Sequence, residues 1–168
     1  IATVESLIRQ YEQQKSAKHK VIDSVSERIK TAASAAEKLE RKGYEISYEQ
    51  AVQRLNDLAG VRIVCSFRDE VYQVATYLIE HPQLSIIKTK DYIKKPKASG
   101  YQSVHLIVSM PYPYGKEGEM VRAEIQIRTV AMNYWAKLDH QLCYKQEKST
   151  PQETEQVRRE LLSYAQEI

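Results

Sequence analysis

Residues 122–129, RAEIQIRT, alternate strictly: Ala123, Ile125 and Ile127 interleave with Glu124, Gln126 and Arg128. A period of two describes a strand with one apolar face and one face carrying an acid, an amide and a base. The polar face has two readings. It is either a solvated outer surface, as in many antiparallel sheets, or the wall of a site. The run that follows, VAMNYW, loses the alternation and turns helical.

The rest of the chain interleaves helical and strand patterns. Residues 2–18 read as an amphipathic helix with Val4, Leu7, Ile8 and Tyr11 on one face. Residues 21–30 fit a short strand, 31–43 a helix closed by Gly43, and 47–57 a second helix opened by Ser47. LAGVRIVCSF (58–67) is rich in β-branched residues and reads as a buried strand. Residues 69–81 form a further helix that buries Val71, Val74, Ala75 and Leu78. LSIIKTKDYI, the loop KKPKASG and the strand YQSVHLIVSM (101–110) follow. The turn PYPYGKEG joins that strand to 119–129, so the last two strands should pair antiparallel. Helices at 130–143 and about 152–167 complete a single domain spanning 1–168, with its core at about 21–145. The fold class is α+β or α/β-like, with a mixed sheet of about five strands flanked by helices and not a purely parallel one.

The length of 168 residues suffices for a proper core without covalent staples. No apolar run approaches the ~18 residues that span a bilayer, and no signal-peptide centre is present. The opening on Ile1 points to a segment of a longer product. Two cysteines, Cys65 and Cys143, are too few for a disulfide framework and suggest a reducing, cytoplasmic setting. A net charge of +3 is too weak to indicate nucleic acid by itself, so the placement of charge matters more. Twelve tyrosines against one Phe and one Trp leave the core to aliphatic residues and many polar-tipped rings for edges and stacking sites.

Chemistry-bearing residues gather at element ends. Arg28 and Lys30 precede a helix that carries Ser34, Lys38 and Arg41 on one face, near backbone N–H groups that favour anions. Asp57 stands before the apolar strand that holds Arg62. It is either a turn residue or one of two acids, with Glu124, that face a hard cation completed by phosphates. Lys90, Asp91, Tyr92, Lys94, Lys95 and Lys97 form a basic loop ending at Gly100-Tyr101. Tyr101, Ser103 and His105 alternate behind it, and an aromatic at the mouth of a basic loop is a stacking platform for a base. Two acids, many cations and a ring suit nucleotide phosphoryl transfer. No P-loop or Rossmann glycine motif occurs, and no cysteine pair has zinc spacing.

DLAGVRIVC, DYIKKPKASGYQSVH and EIQIRTVAMNYWAKLDH resemble the synthetase signature of the Rel/Spo family, and most of all the stand-alone small alarmone synthetases. The resemblance implies a nucleotidyltransferase-like synthetase fold. It also implies a pyrophosphokinase that moves the β,γ-pyrophosphate of ATP to the ribose 3′-hydroxyl of GDP or GTP, making ppGpp or pppGpp. Under it, Asp57 and Glu124 bind Mg²⁺, and Glu124 also serves as the base. Arg28 and Arg62 sandwich adenine, while Lys30, Ser34, Lys38 and Arg41 hold the ATP phosphates. Tyr101 stacks on guanine, and Lys90, Lys97 and His105 reach the acceptor's phosphates. Gln126, Asn133 and Asp139 fix the acceptor or its neighbours. A homotetramer is implied as well.

Three departures from the family pattern stand out. Gln102 replaces an arginine common in small synthetases and bears on the choice between GDP and GTP. The helix TAASAAEK lacks a proline seen in many relatives. No His-Asp pair of the family's hydrolase domain occurs, which implies a synthetase only. The rivals are a nucleotidyltransferase of similar fold, whose Asp-x-Asp after Gly-Ser is missing, and a nucleotide- or single-stranded-RNA-binding regulator. A binder of polyanions gains nothing from two carboxylates in its site.

Overall fold

The structure, a computed structural model, describes residues 1–15, 19–111, 118–145, 156, 159, 160 and 162–165. In order, the chain forms α1 (Ala2–Gln14), β1 (Ile22–Ile29), α2 (Ala32–Arg41), α3 (Tyr48–Arg54) and β2 (Ala59–Cys65). It continues through α4 (Arg68–Glu80), β3 (Ser85–Asp91), β4 (Val104–Pro111), β5 (Met120–Thr129) and α5 (Val130–Lys145). The five strands make one mixed sheet in the order β1-β2-β5-β4-β3. Only β2 and β5 run parallel, and β4 pairs antiparallel with β5 as the joining turn requires.

The strict alternation of β5 decides which face is which. Ala123, Ile125 and Ile127 join Val61, Ile63 and Cys65 of β2 and Leu106 and Val108 of β4 in the main core. Helices α1 and α4 cover that face with Val4, Leu7, Ile8 and Tyr11 and with Val71, Val74, Ala75 and Leu78. The amphipathic helix at the start of the chain therefore packs on its own sheet. Burial pushes the Cys65 thiol up to about 12, so it behaves as a small apolar side chain. A second, small cluster of Ala35, Leu39 and Leu55 ties α2 to the end of α3.

Several element ends differ from the sequence expectation. Helix α1 stops at Gln14, and residues 16–18 lie outside the described residues. Helix α3 ends at Arg54, because Leu55 turns inward to full burial and leaves the helical path. The strand expected over 101–110 begins only at Val104. Tyr101 through Ser103 instead close the preceding loop, with Tyr92 N–H donating to Ser103 O and Lys97 N–H to Tyr101 O. Most of the 111–118 turn and of the helix at about 152–167 falls outside the described residues, although 162–165 is helical.

The expected caps are present. Ser47 Oγ accepts from Gln50 N–H. Gly43 sits at φ +72°, with its N–H on Glu40 O and that of Tyr44 on Leu39 O, a Schellman ending that needs a left-handed residue. Among the described residues, no helix is long and apolar enough to cross a membrane.

Candidate active site

The polar face of the sheet is the floor of a cleft. Partners in register share a face, so Glu124 lies beside Gly60 of β2 and Ile107 of β4, and Gln126 beside Arg62 and His105. Arg28 of β1 pairs with Gly60, and Lys90 of β3 with His105, which extends the same face to both edges. Two adjoining cavities of about 770 and 410 Å³ rest on this floor and share Arg28, Asp57, Arg62, Glu124 and Gln126.

Asp57 is placed by strand geometry. Ile29 pairs with Ala59, and Lys30 N–H donates to Leu58 O, so the end of β1 lies against the residues that enter β2. Lys30 Nζ stands 3.3 Å and Lys38 Nζ 2.7 Å from Asp57 Oδ2. Burial would raise the Asp57 carboxyl, but the two ammonium groups outweigh it and hold the group below its ordinary value. Asp57 Oδ1 is buried and has no hydrogen-bond partner. One free carboxylate oxygen amid cations fits a hard divalent ion that takes its other ligands from phosphate and water. Among the described residues, no group of three His, Cys, Asp or Glu could hold a metal ion.

Glu124 is held differently. His105 Nδ1 lies 2.9 Å from Oε1, and Gln126 Nε2 donates to Oε2 at 2.9 Å. Burial again opposes ionisation, yet His105 first, then Gln126 and Lys90, bring the carboxyl down to about 2. The other imidazole nitrogen, Nε2, is 2.9 Å from the Tyr101 hydroxyl. Tyr92, Tyr101 and His105 meet edge-on, with centroids 5.1 Å apart for Tyr92–His105 and 5.7 Å for Tyr101–His105. Lys97 Nζ sits over both tyrosine rings, 4.9 and 4.7 Å from their centroids.

Of the residues singled out in the sequence, Arg28, Lys38, Asp57, Arg62, Lys90, Lys97, Tyr101, His105, Glu124, Gln126 and Asp139 line the larger cavity. Lys30 joins them through Asp57. Ser34, Arg41 and Asn133 do not line either cavity. Ser34 lies in the first turn of α2, where Thr31 caps its N–H and donates to its hydroxyl. Asn133 Oδ1 is buried without a partner. Ser103 does not face the cleft either: its hydroxyl donates to Ile127 O. Gln102 turns away from the cleft as well, and its Nε2 donates to Ala165 O at 2.7 Å.

Arg128 is the residue that motif reading passed over, although the alternation of β5 places it on the same face. It is 3% exposed, its guanidinium is 5.9 Å from the Tyr101 ring, and its Nε has no partner. Burial, with Arg62 nearby, lowers it to about 10. A buried guanidinium near a second, half-buried one is tolerated best where a polyanion or planar base completes them. Lys42 and Lys137 add positive charge at the cavity wall, and His140 lines it as well.

A family model described as "Region found in RelA / SpoT proteins" matches residues 27–149. The chain belongs to the RelA/SpoT family. It is 44% identical over 135 residues to GTP pyrophosphokinase YwaC of Bacillus subtilis (strain 168), a match covering 80% of this chain and 64% of that protein. The chain thus spans just under two thirds of the length of this relative. The crystal structure of small alarmone synthetase 2 from Bacillus subtilis superimposes with a TM-score of 0.82 at 39% identity, over 98% of this chain and 84% of that one. Small alarmone synthetase 1 from the same organism, bound to its product pppGpp, gives 0.79 at 34% identity, over 98% and 81%. The RelA/SpoT chain described here has the same mixed five-stranded sheet as these synthetases.

Proposed function

We propose that this RelA/SpoT chain is a GTP pyrophosphokinase, transferring the β,γ-pyrophosphate of ATP to the ribose 3′-hydroxyl of GDP or GTP, with AMP and ppGpp or pppGpp as products. The observation that supports this most is the pair of adjoining cavities with Asp57 and Glu124 in their common wall. Two ligands can lie side by side there with their reacting groups over the two acids.

The positions of the side chains support the following roles. Arg28 and Arg62, on neighbouring strands, offer planar guanidinium groups to adenine. Lys30 and Lys38 hold phosphate oxygens together with Asp57, whose free Oδ1 suits Mg²⁺. When bound, Mg²⁺ would neutralise phosphate charge and favour attack on phosphorus by an oxygen nucleophile. Tyr101 stacks the acceptor's base, and Lys90 and Lys97 receive its phosphates. Glu124 takes the proton from the 3′-hydroxyl. While His105 donates to it, its carboxyl near 2 makes it a weak base, so productive binding includes exchange of that bond. His105 Nδ1, once released, is a donor free for an acceptor phosphate. Gln126 steadies the second carboxylate oxygen throughout.

Positioning and charge neutralisation carry such a reaction, so no covalent enzyme intermediate is needed. The same reading takes the cytoplasm as compartment and a homotetramer as assembly, the latter testable by sedimentation of the purified chain. The deciding experiment incubates the protein with ATP, Mg²⁺ and either GDP or GTP and separates the nucleotides. AMP and a 3′-pyrophosphorylated guanosine nucleotide should appear in equal amounts. Formation of AMP alone, or of no product, overturns the reading.

A further inference from the structure

The platform residue Tyr101 is gripped at two ends. Its hydroxyl is bound inside the cleft by His105. Its sequence neighbour Gln102 is held from behind, by a segment more than sixty residues away in sequence. Gly100 adopts φ +88°, and a Cβ there would stand 2.9 Å from Ala165 Cβ, 3.2 Å from Trp135 Cζ2 and 3.3 Å from Leu162 Cδ2. On the other side of Tyr101, Gln102 Nε2 donates to Ala165 O. Trp135 and Ala165, 3% and 5% exposed, form a cluster of their own against which Tyr101 packs.

We propose that residues 162–165 are a positioning strut for Tyr101, docked behind Gly100 and Gln102 so that the ring stays presented to the acceptor nucleotide. Three features carry this. The contacts fall on both sequence neighbours of Tyr101, so undocking frees the backbone on either side of the ring. Among the described residues, Lys97 N–H to Tyr101 O and Gly100 N–H to Lys97 O only close the loop on itself, and the bonds that fasten it to the sheet, at Ser103, begin beyond Gln102. Close approach is built in, because a glycine with left-handed φ stands where any side chain would strike the segment. The departure at Gln102 also finds a role here, as a donor to a helix carbonyl and not as a reader of acceptor phosphates. The inference rests on the reading of Tyr101 as the acceptor platform.

Coupling of this kind is reciprocal: whatever loosens the segment weakens acceptor binding, and acceptor binding tightens the segment. Trp135, the single tryptophan of the chain, reports docking directly. Ala165→Glu places a charge in the apolar contact and should make Trp135 more accessible to acrylamide. It should also raise the KM for GDP or GTP about tenfold. The KM for ATP should stay within about twofold, a split between the two substrates that general destabilisation would not give. Gln102→Leu keeps bulk but removes the bond, and should shift the acceptor KM in the same direction by less.

In the unsubstituted protein, saturating GDP should reduce acrylamide quenching of Trp135, and a non-hydrolysable ATP analogue should not. An Ala165→Glu protein with an exposed Trp135 and an unchanged acceptor KM overturns the strut while leaving the synthetase reading intact. Should that variant not fold, an unchanged KM in Gln102→Leu together with quenching indifferent to GDP overturns it equally. If the unsubstituted protein forms no pyrophosphorylated product, the underlying reading fails instead.

Discussion

His105 holds the carboxylate of Glu124 through Nδ1 at 2.9 Å. The imidazole thereby joins the residue assigned to the acceptor's base, through the Tyr101 hydroxyl, to the residue assigned to its ribose proton.

Glu124→Gln keeps the size and hydrogen bonding of the side chain but cannot accept the proton. Both nucleotides should bind almost normally while pyrophosphate transfer falls by orders of magnitude, and higher pH should not restore it. Nucleotide titrations beside single-turnover rates make the comparison. Binding that collapses along with turnover assigns Glu124 to the metal and moves the base elsewhere.

Asp57→Asn should abolish turnover and leave the fold in place, because Asp57 precedes β2 and is not part of either core cluster. Loss of the ligand costs several kcal/mol of transition-state stabilisation. Near-normal rates at saturating Mg²⁺ would disprove the metal assignment.

Two variants separate the ring of Tyr101 from its hydroxyl. Tyr101→Leu should weaken acceptor binding by roughly 1–3 kcal/mol and ATP binding little. Tyr101→Phe retains the stack but frees His105 Nε2, so it should change kcat more than acceptor affinity. Isothermal titration with each nucleotide distinguishes these outcomes. Equal losses for ATP and acceptor in Tyr101→Leu would make the ring structural.

Acid should destabilise the protein in a defined window. The Glu124 carboxyl is at about 2 in the fold against an ordinary 4.5, and Asp57 is lowered as well. A depressed carboxyl contributes stability above its unfolded value, and that contribution disappears as pH falls from about 5 through 2. Urea midpoints across this range should drop, and the drop should be shallower in Glu124→Gln. Parallel curves for the two proteins would place the acid sensitivity in other groups.

Leu55 is fully buried in the small cluster that fastens α2, the helix carrying Lys38. Leu55→Ala should cost about 2–5 kcal/mol or lose α2 locally. ATP affinity should then fall while the acceptor's is retained. Hydrogen exchange of α2 amides against those of β5 would show whether the loss is local.

Periodicity carried the fold a long way. The alternation of Ala123–Arg128, the β-branched run of β2 and the inward faces of α1 and α4 each have one dominant pattern, and the sheet follows from burying them. Tyr101 shows where the pattern fails. Tyr101, Ser103 and His105 alternate as a strand would, but Tyr101 O and Ser103 O are taken up in closing the loop, so the ladder starts later. Charge type told which residues face the cleft, because acids and bases on an otherwise apolar sheet have few other reasons to be there. It could not tell which atoms would pair. That Asp57 would be clasped by two lysines, and Glu124 by His105, depends on strand register and on how α2 packs. The contact between Gln102 and Ala165 spans a separation that no local signal encodes.

Gly60 deserves a different kind of reading. It sits near the start of β2 on the cleft floor, opposite both Arg28 and Glu124. Glycine weakens a strand, and nothing in the backbone demands it here: an added Cβ would meet only Arg28 O and Glu124 O, each at an ordinary 3.7 Å. A β-branched residue would therefore fit the sheet and strengthen it, yet its methyl groups would rise from the floor into the smaller cavity, which Gly60 lines. The chain forgoes available strand stability to keep that floor bare. Gly60→Val should thus melt higher and work worse, setting thermal tolerance against activity at a single position.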